Sequence, residues 1–356
     1  MTRSKAANRP FIWAIVLIST LITAFELRPD GNSSVRGPEK AGLVVDQKVN
    51  GIALTAPPRA IDADRMDPVL SSGADWVQII PYAFSYPDKP SVIFDTERQW
   101  WGEKTPGIRA QVSYAKSRGL NVLLKPHIWV IQQGWLGEYE LDSESDWQSW
   151  EQEYSKYILH HARLAEELGV EMFCVGTEAK RIVARRPSYW KGLIAEVRKV
   201  YSGQLTYASN WDNFQNIPFW ADLDYIGIDA YFPLTQSEKP TVEEIKQGWE
   251  PHIKQIQRYS ERYEVPVLFT EFGYLSVPQA AWRNWELESV RRQLPVDLQT
   301  QSNAFEGLFE TFWHQDWFAG GFIWKWYYPE GSGGPGDTDY TPQGKPVMDV
   351  IRRYYN

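Results

Sequence analysis

Eight short, nearly continuous apolar runs, most of them separated by amphipathic segments, constrain this 356-residue chain more than any other feature of its sequence. The runs are Val49–Thr55, Trp76–Tyr82, Asn121–Ile128, Val170–Thr177, Leu205–Asn210, Tyr225–Ala230, Val265–Thr270 and Gly321–Trp326. Strands buried on both faces read this way, because neither face of a covered parallel sheet meets water. The intervening segments Gly107–Arg118, Trp147–Leu168, Pro187–Tyr201, Val242–Tyr263 and Gln301–Trp317 carry helical periodicity. Strand–helix alternation repeated eight times predicts an α/β fold, a (β/α)8 TIM barrel spanning residues 49–356 as one domain. No Gly-rich phosphate loop follows the first run, which argues against a dinucleotide-binding sheet.

A barrel of this kind carries its functional side chains at the C-terminal ends of its strands. Polar and aromatic residues follow six of the apolar runs. They are Lys125-Pro126-His127-Ile128-Trp129, Gly176-Thr177-Glu178, Ser209-Asn210-Trp211-Asp212, Asp229-Ala230-Tyr231-Phe232, Thr270-Glu271-Phe272-Gly273-Tyr274 and Trp324-Lys325-Trp326-Tyr327. Glu178 and Glu271 each directly follow an apolar strand, the fourth and the seventh. Two carboxyl groups facing one barrel mouth are what retaining glycoside hydrolysis needs, at a spacing of about 5–5.5 Å. One protonates the leaving oxygen and later deprotonates water; the other attacks the anomeric carbon.

Composition points the same way. The 18 Trp, 19 Tyr and 15 Phe exceed what a core requires, and indole faces suit the flat C–H faces of sugars. A net charge of −8 without a basic stripe excludes nucleic acid as an expected partner. The five histidines offer no His-x-His ligand pair, so neither a metal nor a cofactor is expected. Cys174, the single cysteine, sits in an apolar run and reads as a small buried hydrophobe. The Gly- and Asp-rich stretch 329–342 reads as a solvated loop near the substrate cleft.

The runs Val175-Gly176-Thr177-Glu178 and Phe269-Thr270-Glu271-Phe272-Gly273-Tyr274 resemble glycoside hydrolase family 113 of clan A. So do Lys125-Pro126-His127 and Gly321-Phe322-Ile323-Trp324-Lys325-Trp326-Tyr327. The resemblance covers roughly residues 49–356. It implies Glu178 as acid/base, Glu271 as nucleophile and endo-β-1,4-mannanase activity. It also implies that Tyr231 donates a hydrogen bond to the nucleophile. Most members of the clan hold Asn before the acid/base, where this chain has Thr177; Asn210 or His127 would then meet the sugar 2-hydroxyl. His127 and Trp129 share one face by period-2 alternation, as do Trp324 and Trp326. Together with Asn210, Trp211 and Tyr231 they form the expected substrate-binding set. A glucanase, a xylanase or an exo-β-mannosidase on the same scaffold, or a non-catalytic glycan-binding barrel, are the competing readings.

At the N-terminus, a basic flank at residues 1–10 (Arg3, Lys5, Arg9) precedes an apolar run at 11–26, and a Pro/Gly/Ser-rich linker occupies 27–48. This is the pattern of a signal peptide or signal anchor. It predicts a catalytic domain outside the cytoplasm, secreted, or tethered to the membrane if the segment stays uncleaved. The domain is expected to act as a monomer on a polysaccharide or oligosaccharide.

Overall fold

The computed structural model describes residues 43–45 and 47–356. The basic flank, the apolar run and the linker as far as residue 42 lie outside the described residues. Among the described residues no helix is long and apolar enough to cross a membrane.

The strands are β1 (Val49–Leu54), β2 (Trp76–Ile79), β3 (Tyr82–Tyr86), β4 (Lys89–Ile93), β5 (Asn121–Leu124), β6 (His127–Val130), β7 (Met172–Thr177), β8 (Gln204–Asn210), β9 (Tyr225–Asp229), β10 (Val267–Phe272) and β11 (Phe318–Trp326). The helices are α1 (Asp67–Leu70), α2 (Thr105–Lys116), α3 (Glu144–Glu167), α4 (Lys180–Arg185), α5 (Pro187–Val200), α6 (Val242–Tyr263), α7 (Asn284–Glu288), α8 (Leu298–Phe312) and α9 (Val347–Tyr355). Eight parallel strands close a barrel in the order β1-β11-β10-β9-β8-β7-β5-β2. Each of the eight apolar runs supplies one barrel strand, so the expected (β/α)8 barrel is the fold observed.

Two of the runs extend past their barrel strands. Trp76–Tyr82 ends in the barrel at Ile79, and Asn121–Ile128 ends at Leu124. Pro81 and Pro126 stand at the two breaks. Proline cannot donate to a ladder, so each chain leaves the barrel there. The continuations pair again above it: β3 lies parallel to β6, with Tyr82 opposite His127, and β4 completes a three-stranded sheet.

Inside the barrel, Val49, Leu123, Met172, Cys174, Ala208, Leu268, Ala319 and Phe322 pack together. Cys174 is fully buried there, as its apolar run implies. A larger apolar layer fills the space between strands and helices, with Trp147, Trp150, Trp190, Trp220 and Trp249 fully buried in it. Much of the tryptophan surplus is therefore core. The helices start where local chemistry starts them. Ser143 caps α3 by accepting from the Asp146 N–H at 3.1 Å. Thr241 and Glu244 cap α6 reciprocally.

Register then sets the site. Asn210 stands opposite Asp229, and Asp229 opposite Glu271, so the ends of β8, β9 and β10 lie level at one rim.

Candidate active site

The site is organised around a lysine. Lys125 follows the buried run Asn121–Leu124 and is itself fully buried. A buried ammonium needs compensating charge. It receives it from two strands far away in sequence: the amine touches Oε1 of Glu271 and lies 3.3 Å from each oxygen of Asp229. Burial alone would lower the lysine pKa, but the carboxylates of Asp229 and Glu271 outweigh it and push it up. Asp229 also accepts from the Thr270 hydroxyl at 2.7 Å. Burial, then the charge of Glu271, push Asp229 above the usual carboxylate range.

Glu271 sits within β10 and is 6% exposed, so only a narrow part of it meets the mouth. The Tyr231 hydroxyl donates to its Oε2 at 2.9 Å. Burial and the neighbouring carboxylate raise the Tyr231 pKa well above its ordinary value, which keeps the hydroxyl a donor. With Lys125 on one oxygen and Tyr231 on the other, Glu271 is fixed in direction.

Glu178 is held differently. It is the first residue past β7, in the left-handed region at φ 48°, an uncommon conformation for a side-chain-bearing residue. Its N–H donates to the Ala208 carbonyl at 2.8 Å, and the next N–H, of Ala179, donates to the Tyr207 hydroxyl at 2.9 Å. These bonds hold the sharp turn into α4. The Glu178 carboxyl is partly accessible, and its Oε2 accepts from the Trp135 indole at 2.6 Å. Burial, then the charges of Asp229 and Glu271, raise its pKa well above the ordinary value; Trp135 and Lys125 oppose them more weakly. One carboxyl is thus disposed to keep a proton, and the other is clamped by two donors. Different environments for two facing carboxyls are how one site runs acid and nucleophile chemistry together.

A cavity of about 990 Å³ opens beside this centre, lined among others by Tyr82, Trp100, Glu103, Trp324 and Lys325. Gly273 keeps its wall close: a Cβ there would come 2.4 Å from the Trp324 carbonyl. Trp324 faces this cavity. Trp326 is 4% exposed and packs in the core. His127 stacks on Tyr82 at 4.9 Å, and burial and Lys125 lower its pKa to about 3. Trp129 is 50% exposed. Asn210 closes β8 and accepts from the Trp211 N–H at 2.9 Å, while the Trp211 ring lies 5.8 Å from that of Trp285. Thr177 is buried, its hydroxyl donating to the Pro126 carbonyl at 3.3 Å, so it faces the protein.

The structure brings Glu178, Glu271 and Tyr231 into one centre, with His127 and Trp324 at its edge. Sequence reasoning passed over Lys125, Asp229 and Trp135 as site residues. A charged residue directly behind an apolar strand was the available signal for the first two; for Trp135, in a loop, there was none. The stretch 329–342 is solvated over residues 329–338, with Pro329 and Glu330 lining the cavity as expected, but its end at 339–342 is buried and anchored. Arg291 pairs with Asp339 and Lys345 with Asp337, and Tyr340 is buried. Among the described residues no group of three or more His, Cys, Asp or Glu is placed to hold a metal ion.

Comparison with known proteins places the fold in a family. The sequence model of Glycoside Hydrolase Family 113 matches residues 59–345. A GH113 β-mannanase from Alicyclobacillus acidocaldarius, solved with a ligand named ManMIm, is 25% identical with a TM-score of 0.75, covering 89% of this chain and 98% of that one. A GH113 β-1,4-mannanase is 26% identical with a TM-score of 0.74, covering 87% and 99%. A family 5 mannosidase from Rhizomucor miehei, 10% identical with a TM-score of 0.58, shares the fold. Among curated protein sequences none matches. On the family match across most of its length, supported by a closed barrel with paired carboxyls at its rim, this chain belongs to glycoside hydrolase family 113 and is a glycoside hydrolase acting on polysaccharide or oligosaccharide.

Proposed function

We propose that the chain is a retaining endo-β-1,4-mannanase with Glu271 as nucleophile and Glu178 as acid/base. The observation that carries the roles is the contrast between the two carboxyls: Glu271 takes donors on both oxygens, while Glu178 is pushed towards its protonated form. In the first step a Glu271 oxygen bonds to the anomeric carbon as the glycosidic C–O bond breaks, and the Glu178 proton passes to the departing oxygen. In the second, Glu178 takes a proton from water, the water oxygen bonds to the anomeric carbon, and the ester C–O bond breaks to return the Glu271 carboxylate. Tyr231 aims the nucleophile and Trp324 offers a flat face beside it.

The choice of sugar is supported by the names of the family neighbours, both β-mannanases. Internal cleavage is supported by indoles spread over several strand ends: exposed Trp100 at the cavity, exposed Trp129 in β6, and half-buried Trp211 after β8 beside exposed Trp285 in α7. The N-terminal basic flank and apolar run support a place outside the cytoplasm, secreted or membrane-tethered.

Hydrolysis of mannan, xylan, cellulose and mixed-linkage glucan, followed by viscosity and by reducing ends, tests this reading. It requires mannan to be favoured, with viscosity falling well before reducing ends accumulate. Release of mannose alone, or a preference for another polysaccharide, would sink it.

A further inference from the structure

The Lys125 amine touches two carboxylates, and the reaction proposed above consumes only one of them. We propose that Asp229 is a positioning residue that keeps Lys125 paired and in place while Glu271 is tied up as a glycosyl ester. The inference rests on the double-displacement reading.

The argument is one of charge. As the bond between Glu271 and the anomeric carbon forms, the carboxylate becomes a neutral ester and Lys125 loses a counter-ion. Lys125 is fully buried, Asp229 is 1% exposed, and an ammonium left alone in such a place is strongly disfavoured. It would have to drop its proton or swing away, and the cost of either would fall on the step that forms the ester. Asp229 prevents both. Its two oxygens lie 3.3 Å from the amine, and the Thr270 hydroxyl holds one of them at 2.7 Å. Thr270 is fixed in turn, since its carbonyl accepts from the buried Gln78 amide at 2.9 Å. Esterification also removes the negative charge of Glu271 that opposes ionisation of Asp229. Asp229 is therefore the better counter-ion when it alone is left to serve.

The predicted signature is specific. In Asp229→Asn, Lys125 has Glu271 as its one carboxylate partner, so forming the ester strands a buried charge. In the double variant Lys125→Met with Asp229→Asn, there is no charge to strand. The test is the rate at which an activated 2-deoxy-2-fluoro mannoside labels Glu271, followed by intact-protein mass spectrometry, with near-ultraviolet circular dichroism to verify folding. Labelling of Asp229→Asn should slow by about 100-fold. The double variant, at its own pH optimum, should recover at least about tenfold of that, because without Lys125 no buried ammonium is left unpaired when the ester forms. A residue that merely packs would give no such recovery. Wild-type labelling rates in Asp229→Asn, or a double variant no faster than the single one, would overturn the proposal alone. If wild-type Glu271 takes no label, the double-displacement reading fails and the proposal falls with it.

Discussion

The Trp135 indole lies 2.6 Å from Oε2 of Glu178, joining a loop that follows β6 to the turn that follows β7. Two successive barrel units therefore meet on the carboxyl proposed to carry the proton. This hydrogen bond favours the ionised form and works against burial and the charges of Asp229 and Glu271, which favour the protonated form. Removing it in Trp135→Phe should raise the Glu178 pKa further. The alkaline limb of kcat/KM, where Glu178 loses its proton, should move to higher pH, and kcat on mannan should fall about tenfold as the acid is less well aimed. A limb that moves to lower pH would contradict this electrostatic account.

The Tyr231 hydroxyl donates to Glu271. Tyr231→Phe keeps the ring and deletes the 2.9 Å bond. The expected loss is about tenfold to a hundredfold in kcat with KM little changed. Steady-state kinetics on a mannooligosaccharide decides it; a rise in KM at constant kcat would make Tyr231 a binding residue.

Trp324 and Trp326 should separate cleanly. Trp324→Ala removes a face of the cavity and should raise KM with little effect on folding. Trp326→Ala opens a hole in the core and should cost about 3–5 kcal/mol in urea unfolding. The reverse pattern would mean that the wrong indole has been placed on the substrate.

Glu103 borders the cavity, is 8% exposed, and accepts from the Trp100 N–H at 3.3 Å. Burial raises its pKa from 4.5 to about 7. A carboxyl raised by folding contributes stability that is complete below its unfolded pKa and is lost as pH rises through the folded one. Glu103→Gln cannot ionise, so it should match the wild type near pH 4.5 and exceed it at pH 8 by about 2–3 kcal/mol. Denaturant unfolding at the two pH values checks this; an equal difference at both would show that Glu103 does not titrate across that range.

The barrel was legible because every one of its strands is covered on both faces and so reads as an apolar run. Glu178, Glu271 and Tyr231 were legible because strand ends in a barrel point at one place. Other features depend on contacts that sequence order conceals. Lys125 is 104 residues from Asp229 and 146 from Glu271, and closure of the barrel alone brings them together. The breaks at Pro81 and Pro126 hid in runs whose apolar character continues past the barrel. Parity alone could not say which of Trp324 and Trp326 faces the cavity, and the two part for a local reason: the pairing of β1 with β11 slips between Ile52 and Leu54, so Ile52 faces Ile323 while Leu54 faces Trp326. An irregular strand does not keep a period of two.

The division of labour between Glu178 and Glu271 is the central claim, and azide addressed to each alanine variant tests it most directly. The azide ion takes the place of whichever carboxylate is missing, and the anomeric configuration of the product, read by proton NMR with an activated aryl β-mannoside, records which face it attacked. Glu178→Ala should give the β-glycosyl azide, from a glycosyl-enzyme still formed on Glu271. Glu271→Ala should give the α-glycosyl azide, from direct attack where the nucleophile stood. The opposite assignment of products would contradict the account.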